Sequence, residues 1–228
     1  MHILLFRKTI LLLITVFLLF PARITGQETD DYFVLADYKG LAESYFRLRD
    51  SILKAEVGSF SFIGYLLRVE PDDGLNEFQM TDYGPDSIVL QHKNKQVIVT
   101  STRFRTFEHD LGYVSDGTYL YLIDGKRYWG YNGRVPHRKI SRVEVKIDNK
   151  TIELPSEAFA DLFDPNLCRR NLLFFIRERI ECRTKAFVSN DGSRIYIHMT
   201  NARIPHLYEV TWIIRNGKYD GRIVDYAY

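Results

Sequence analysis

The chain has 228 residues, with 31 Lys+Arg against 29 Asp+Glu and 46% hydrophobic residues. That length suits one large domain or two small ones, with ample material for a core. The short basic clusters (Arg103/Arg105, Arg134/Arg138/Lys139, Arg177/Arg179/Arg183) are interleaved with acids. They lack the concentrated stripe that nucleic-acid binding requires, so nucleic acid is not an expected partner.

Residues 1–26 read as a secretory signal peptide. Arg7 and Lys8 form the basic start, Ile10 to Phe20 is an apolar run interrupted only by Thr15, Pro21 ends it, and Thr25-Gly26 offers small residues for cleavage. An eleven-residue helix spans roughly 16 Å, about half of a ~30 Å hydrocarbon core. A cleaved signal is therefore expected rather than a lasting membrane span, with the mature chain starting near Gln27. Losing Arg7, Lys8 and Arg23 leaves 28 basic against 29 acidic residues. The expected location is periplasmic, cell-surface or secreted. Residues 27–228 contain no Pro/Gly/Ser-rich linker and no repeat period, which predicts a single β-rich domain.

Leu35, Tyr38, Leu41, Tyr45, Leu48 and Ile52 recur at three- and four-residue spacings. They predict one amphipathic helix over about 36–55 packed on the rest of the fold, with Gly58 as its stop. From Phe60 onward the pattern changes to short alternating runs. Half of the fourteen glycines follow Asp or Asn, pairs that supply the positive φ of tight hairpin turns.

Register tests these turns, because the correct pairing sorts apolar residues onto one face. A turn at Asp124-Gly125 pairs Tyr121 with Tyr128 and Leu120 with Trp129. One at Asp148-Asn149 pairs Val145 with Ile152 and Val143 with Leu154. One at Asp191-Gly192 pairs Val188 with Ile195 and Ala186 with Ile197. One at Asn216-Gly217 pairs Ile214 with Tyr219, Trp212 with Gly221 and Val210 with Ile223, leaving Arg222 on an outer face with Thr211. A short helical turn is expected after Pro155. The fold class is mainly β (α+β): an antiparallel meander or barrel-like sheet of consecutive hairpins with the N-terminal helix packed on it.

Cys168 and Cys182 are the only cysteines. Alternation from Ile176 to Val188 reads as a strand, which brings Cys182 near the core. Cys168 can reach it if the chain doubles back near Asn171, so a disulfide is expected in an exported protein, with two reduced core thiols as the alternative.

The chain contains no Gly-rich phosphate loop, G-x-S-x-G, H-E-x-x-H or C-x-x-C, and no cofactor or metal site is expected. The mature histidines, His92, His109, His137, His198 and His206, are scattered. Glu108-His109-Asp110 reads as an exposed acidic turn, and His198, opposite Lys185, as a surface residue. Tyr119, Tyr121, Tyr128, Trp129 and Tyr131 form the candidate ligand-binding set, since rings displayed on a sheet can stack on sugars. Aromatic pairs within strands are otherwise core packing. Asn149-Lys150-Thr151 matches a glycosylation acceptor. The expected function is an exported binding or interaction module for a protein, small-molecule or glycan ligand. The alternative is an extracytoplasmic hydrolase with a loop-built site.

Overall fold

Hairpin turns of the Asp/Asn type organise most of this protein. The computed structural model describes residues 42–72, 74–114, 117–130, 133–173, 177–201 and 207–226, with backbone alone over 169–173 and 177–179. The expected signal peptide and the first part of the predicted helix lie outside the described residues. Residues 39–228 form one compact unit.

Two five-stranded antiparallel sheets carry the fold among the described residues. The first orders its strands β1-β11-β12-β13-β14: β1 Leu75–Glu77, β11 Thr184–Ser189, β12 Arg194–Thr200, β13 Tyr208–Arg215 and β14 Lys218–Tyr226. The second orders β2-β3-β4-β7-β8: β2 Gln79–Tyr83, β3 Ser87–His92, β4 Lys95–Arg103, β7 Arg138–Ile147 and β8 Lys150–Glu153. Two short ladders complete the set, β5 (Leu111–Tyr113) with β6 (Leu120–Ile123), and β9 (Cys168–Leu173) with β10 (Arg177–Cys182). The expected meander exists from β11 to β14. The rest departs from a single barrel-like sheet, because the strands divide between two sheets. Phe78, between β1 and β2, donates its N–H to Ala186 O at 2.9 Å, so one run of chain serves both sheets.

The Asp191-Gly192 and Asp148-Asn149 turns give the expected registers, Ala186–Ile197 with Val188–Ile195, and Val145–Ile152. The Asn216-Gly217 hairpin agrees at Arg215–Lys218 and Ile214–Tyr219 and then departs. A bulge at Asp220 shifts every later pair by one, setting Gly221 against Ile213, Arg222 against Trp212 and Ile223 against Thr211. Gly221 has φ 147°, a backbone state that glycine adopts without a Cβ penalty. Arg222 therefore shares the face of Trp212 and is not an outer residue. At Asp124-Gly125 only the Ile123–Lys126 bridge follows the expectation; β6 pairs with β5, and Trp129 bridges Leu162.

Strand β13 is buried along both faces, which explains how sheet one is covered. On one face Phe187, Tyr196, Ile213 and Ile223 pack with Tyr45, Leu53, Val57 and Ile63 of a helical layer. On the other, Ile195, Ile197, Val210, Trp212 and Ile214 are buried, as are Ile88, Leu90, Val97, Val99, Val143 and Val145 of sheet two. These two apolar faces form the second layer of the core.

The helical layer differs from the single helix expected over 36–55. In its described part, Tyr45–Arg47 is a 3-10 turn, the chain is then extended, and α1 runs Ser51–Phe60. The Asp50 carboxylate causes the late start, since it accepts the Ile52 and Leu53 N–H groups at 3.1 Å as an N-cap. Leu53 and Val57 face the sheet, whereas Ile52 is exposed. Gly58 lies inside α1, and Ser61 is the break that separates it from α2, Phe62–Leu66.

Candidate functional site

Burial decides the fate of the aromatic set. Tyr128 and Trp129 are each 2% exposed and belong to the interior, while Tyr119 and Tyr121 are half-buried. Trp129 packs against Tyr208 and Tyr226, and Tyr128 meets Phe163 edge-on at 5.4 Å. The Arg127 guanidinium lies 4.6 Å from the Tyr121 ring centroid and covers it. Tyr131 lies outside the described residues, as does His206. The five residues thus do not form one open platform among the described positions.

Cys168 and Cys182 are bonded, with Cα atoms 4.0 Å apart, as facing residues of β9 and β10. The chain does double back between β9 and β10, a little beyond Asn171, which itself pairs with Arg179 in the ladder.

His109 stands in a polar chain rather than in a simple acidic turn. Its Nδ1 is 2.7 Å from Asp124 Oδ2, and the ring stacks on Phe104 at 4.5 Å. Lys139 Nζ reaches Nε2 at 3.0 Å and Glu108 at 3.6 Å. The ammonium can only donate, so Nε2 accepts and Nδ1–H faces Asp124. Burial pushes the Asp124 carboxyl up, but the His109 bond and the Asp110 N–H outweigh it and hold its pKa below the usual range. An Asp–His pair of this kind orients a catalytic base, yet here its outer nitrogen meets a lysine. Among the described residues, no group of three His, Cys, Asp or Glu side chains is arranged to hold a metal.

His198 corrects the surface reading. It does face Lys185 in register, but the helical layer covers that face and leaves it 6% exposed. Phe60 stacks edge-on at 5.5 Å, Thr211 Oγ1 is 3.0 Å from Nδ1, and Glu209 Oε2 is 3.6 Å from Nε2. Glu209 accepts the Phe62 and Ile63 N–H groups at 2.7 and 2.9 Å. Nearby, Glu56 receives both ends of the Arg194 guanidinium at 2.7 Å and the Tyr196 hydroxyl. These buried polar groups fasten the helical layer to sheet one.

An open groove lies where the hairpin turns of both sheets converge. Asn94, Lys95, Asn149, Lys150, Ser193 and Asn216 line it, from four different hairpins. Lys150 Nζ donates to Gly217 O at 3.5 Å across the two sheets. In the sequence these positions carry only turn signals, because their convergence depends on how the sheets stack. The chain matches no family model, no curated protein and no solved structure.

Proposed function

We propose that this protein is an exported β-rich binding module that takes its ligand at the turn-end groove. The observation that carries this reading is the convergence of side-chain amides, a hydroxyl and two lysines from four separate hairpins on one open concavity. Binding residues concentrate on loops that a rigid scaffold holds, and paired sheets gather such loops at one end. The N-terminal signal pattern supports export, and the Cys168–Cys182 bond supports an oxidising destination. No helix among the described residues is long and apolar enough to cross a membrane. The hydrolase reading gains no support from the Asp124–His109 pair, whose Nε2 faces Lys139.

Two measurements test the proposal. N-terminal sequencing of the protein from fractionated host cells should give a start within a few residues of Gln27, and a cytoplasmic product retaining Met1 overturns export. Amide NMR against a panel of saccharides should move Asn94, Lys95, Asn149, Ser193 and Asn216 together. Shifts centred instead on Tyr119 and Tyr121 would relocate the site to the aromatic hairpin and sink the groove.

A further inference from the structure

The four hairpin turns around the groove carry four lysines, Lys93, Lys95, Lys150 and Lys218, against two aspartates, Asp148 and Asp191. Lys95 Nζ contacts Asn94 Oδ1 and Lys150 Nζ contacts Gly217 O, each at 3.5 Å, and both acceptors are neutral. Lys93 and Lys218 are exposed on the same turns, and among the described residues none of the four lysines has a carboxylate partner. The two acids of the groove are held within it. Asp148 Oδ1 accepts from Asn94 Nδ2 at 2.7 Å. Asp191 accepts from the Ser189 hydroxyl at 2.5 Å and from Ser193 N and Oγ at 3.0 and 2.9 Å. The Ser189 bond above all holds the Asp191 pKa well below the usual carboxylate range. The expected mature chain is close to neutral, so the excess of two lysines over these four turns is local.

Resting on the binding reading above, we propose that the groove binds an acidic polysaccharide. Its carboxylate or sulfate groups meet Lys95 and Lys150, and its hydroxyls meet Asn94, Asn149, Ser193 and Asn216. The wall chemistry selects this class over other polyanions. Ile147 is the only apolar side chain among Leu, Ile, Val, Met and aromatic types in the lining, whereas a peptide partner needs buried apolar anchors. No aromatic ring lines the groove to stack a base, as single-stranded nucleic acid requires. Amide and hydroxyl groups flanking free ammonium groups suit a chain of charged sugars.

Calorimetric titration of the secreted protein tests this with polygalacturonate as the carboxylated probe, heparin as the sulfated probe and dextran as the neutral one. At least one polyanion should bind, weakening about tenfold or more between low and high salt as counter-ions compete. The double variant Lys95→Ala/Lys150→Ala should lose about tenfold in affinity with an unchanged melting curve. Lys126→Ala, on the Asp124-Gly125 turn, should bind like the wild type. Which polyanion binds decides between carboxylate and sulfate. Equal binding of dextran, lost in the double variant, overturns the acidic class while leaving the groove as the site. Polyanion binding that the double variant retains overturns both. Failure of both polyanions at low salt overturns the acidic-polysaccharide inference.

Discussion

His198 Nε2 lies 3.6 Å from Glu209 Oε2 beneath the start of α2, and burial drives both groups toward their neutral forms. Burial pushes the Glu209 carboxyl up to about 7, partly opposed by the Ile63 and Phe62 N–H groups, and Asp225 opposite adds to the rise. Burial also lowers His198 to about 4, helped by the Lys185 charge.

The two shifts oppose each other in their effect on stability. A raised carboxyl stabilises fully below its unfolded pKa of 4.5, and that contribution is lost as pH rises through about 7. A depressed histidine stabilises above its unfolded 6.5, and that contribution is lost as pH falls through about 4. Between these limits the wild type should show little pH dependence from this pair. His198→Gln should weaken with rising pH, and Glu209→Gln should weaken with falling pH, each on the order of 2–3 kcal/mol. Denaturant melts across pH 4–8 read the slopes, and parallel slopes in the two variants would refute the pairing.

Gly64→Ala should dislodge the helical layer. A Cβ at Gly64 would stand 1.7 Å from Gly58 O, a backbone atom that cannot turn aside. Overpacking against side chains costs roughly 1–3 kcal/mol, and a backbone clash should exceed that. Gly84→Ala is the control, since its nearest neighbour is the Ser87 hydroxyl at 3.5 Å. Hydrogen exchange of the Leu53 and Val57 amides should rise in Gly64→Ala alone. Unchanged protection there would mean that α1 and α2 do not meet at these glycines.

Reduction should weaken the fold without abolishing it. The Cys168–Cys182 bond closes a short loop, which the chain-entropy model values at about 3 kcal/mol. Alkylation of the denatured, unreduced protein should leave both cysteines unmodified by mass. A Cys168→Ser/Cys182→Ser variant should melt earlier by the corresponding amount. Two alkylated cysteines in the unreduced sample would exclude the bridge.

Sequence patterns were legible where they act locally. The Asp191-Gly192 register is fixed by two turn residues and their immediate neighbours, and it holds throughout. The Asn216-Gly217 register fails only after Ile214, where one inserted residue, Asp220, changes the face of all that follow. A two-residue turn contains no information about a bulge three residues away. Glu209 and Thr211 alternate with apolar residues and read as solvent-facing. They are 4% and 2% exposed because a second layer, invisible to period-two patterning, covers them. The groove was least legible, since Lys95 and Lys150, far apart in the chain, both flank Ile147 in sheet two, and they face Ser193 and Asn216 of sheet one only when the two sheets stack.

Arg222 yields the sharpest test of the observed register. Read from the turn alone, with no layer over the Thr211 face, it would be a solvated residue worth under about 1 kcal/mol. With the bulge its side chain is 8% exposed. It donates to Asp161 at 2.6 and 2.8 Å, to Glu43 at 3.1 and 2.9 Å and to Ala158 O at 2.9 Å. Removing the guanidinium would strand two carboxylates that keep partial access to water, so Arg222→Ala should cost about 2–4 kcal/mol, somewhat below a fully buried pair. Arg222→Lys should recover only part of this, because an ammonium cannot serve both carboxylates in the planar fork geometry. Trp212→Ala, which empties a fully buried site and removes the 2.8 Å bond to Ala158 O, should cost about 3–5 kcal/mol. Ala158 O receives both side chains, so the double variant should depart from additivity. Denaturant melts of the wild type, the two single variants and the double variant measure all four corners of the cycle. An Arg222→Ala cost within experimental error of zero would restore the unbulged register and remove Asp161 and Glu43 as its partners.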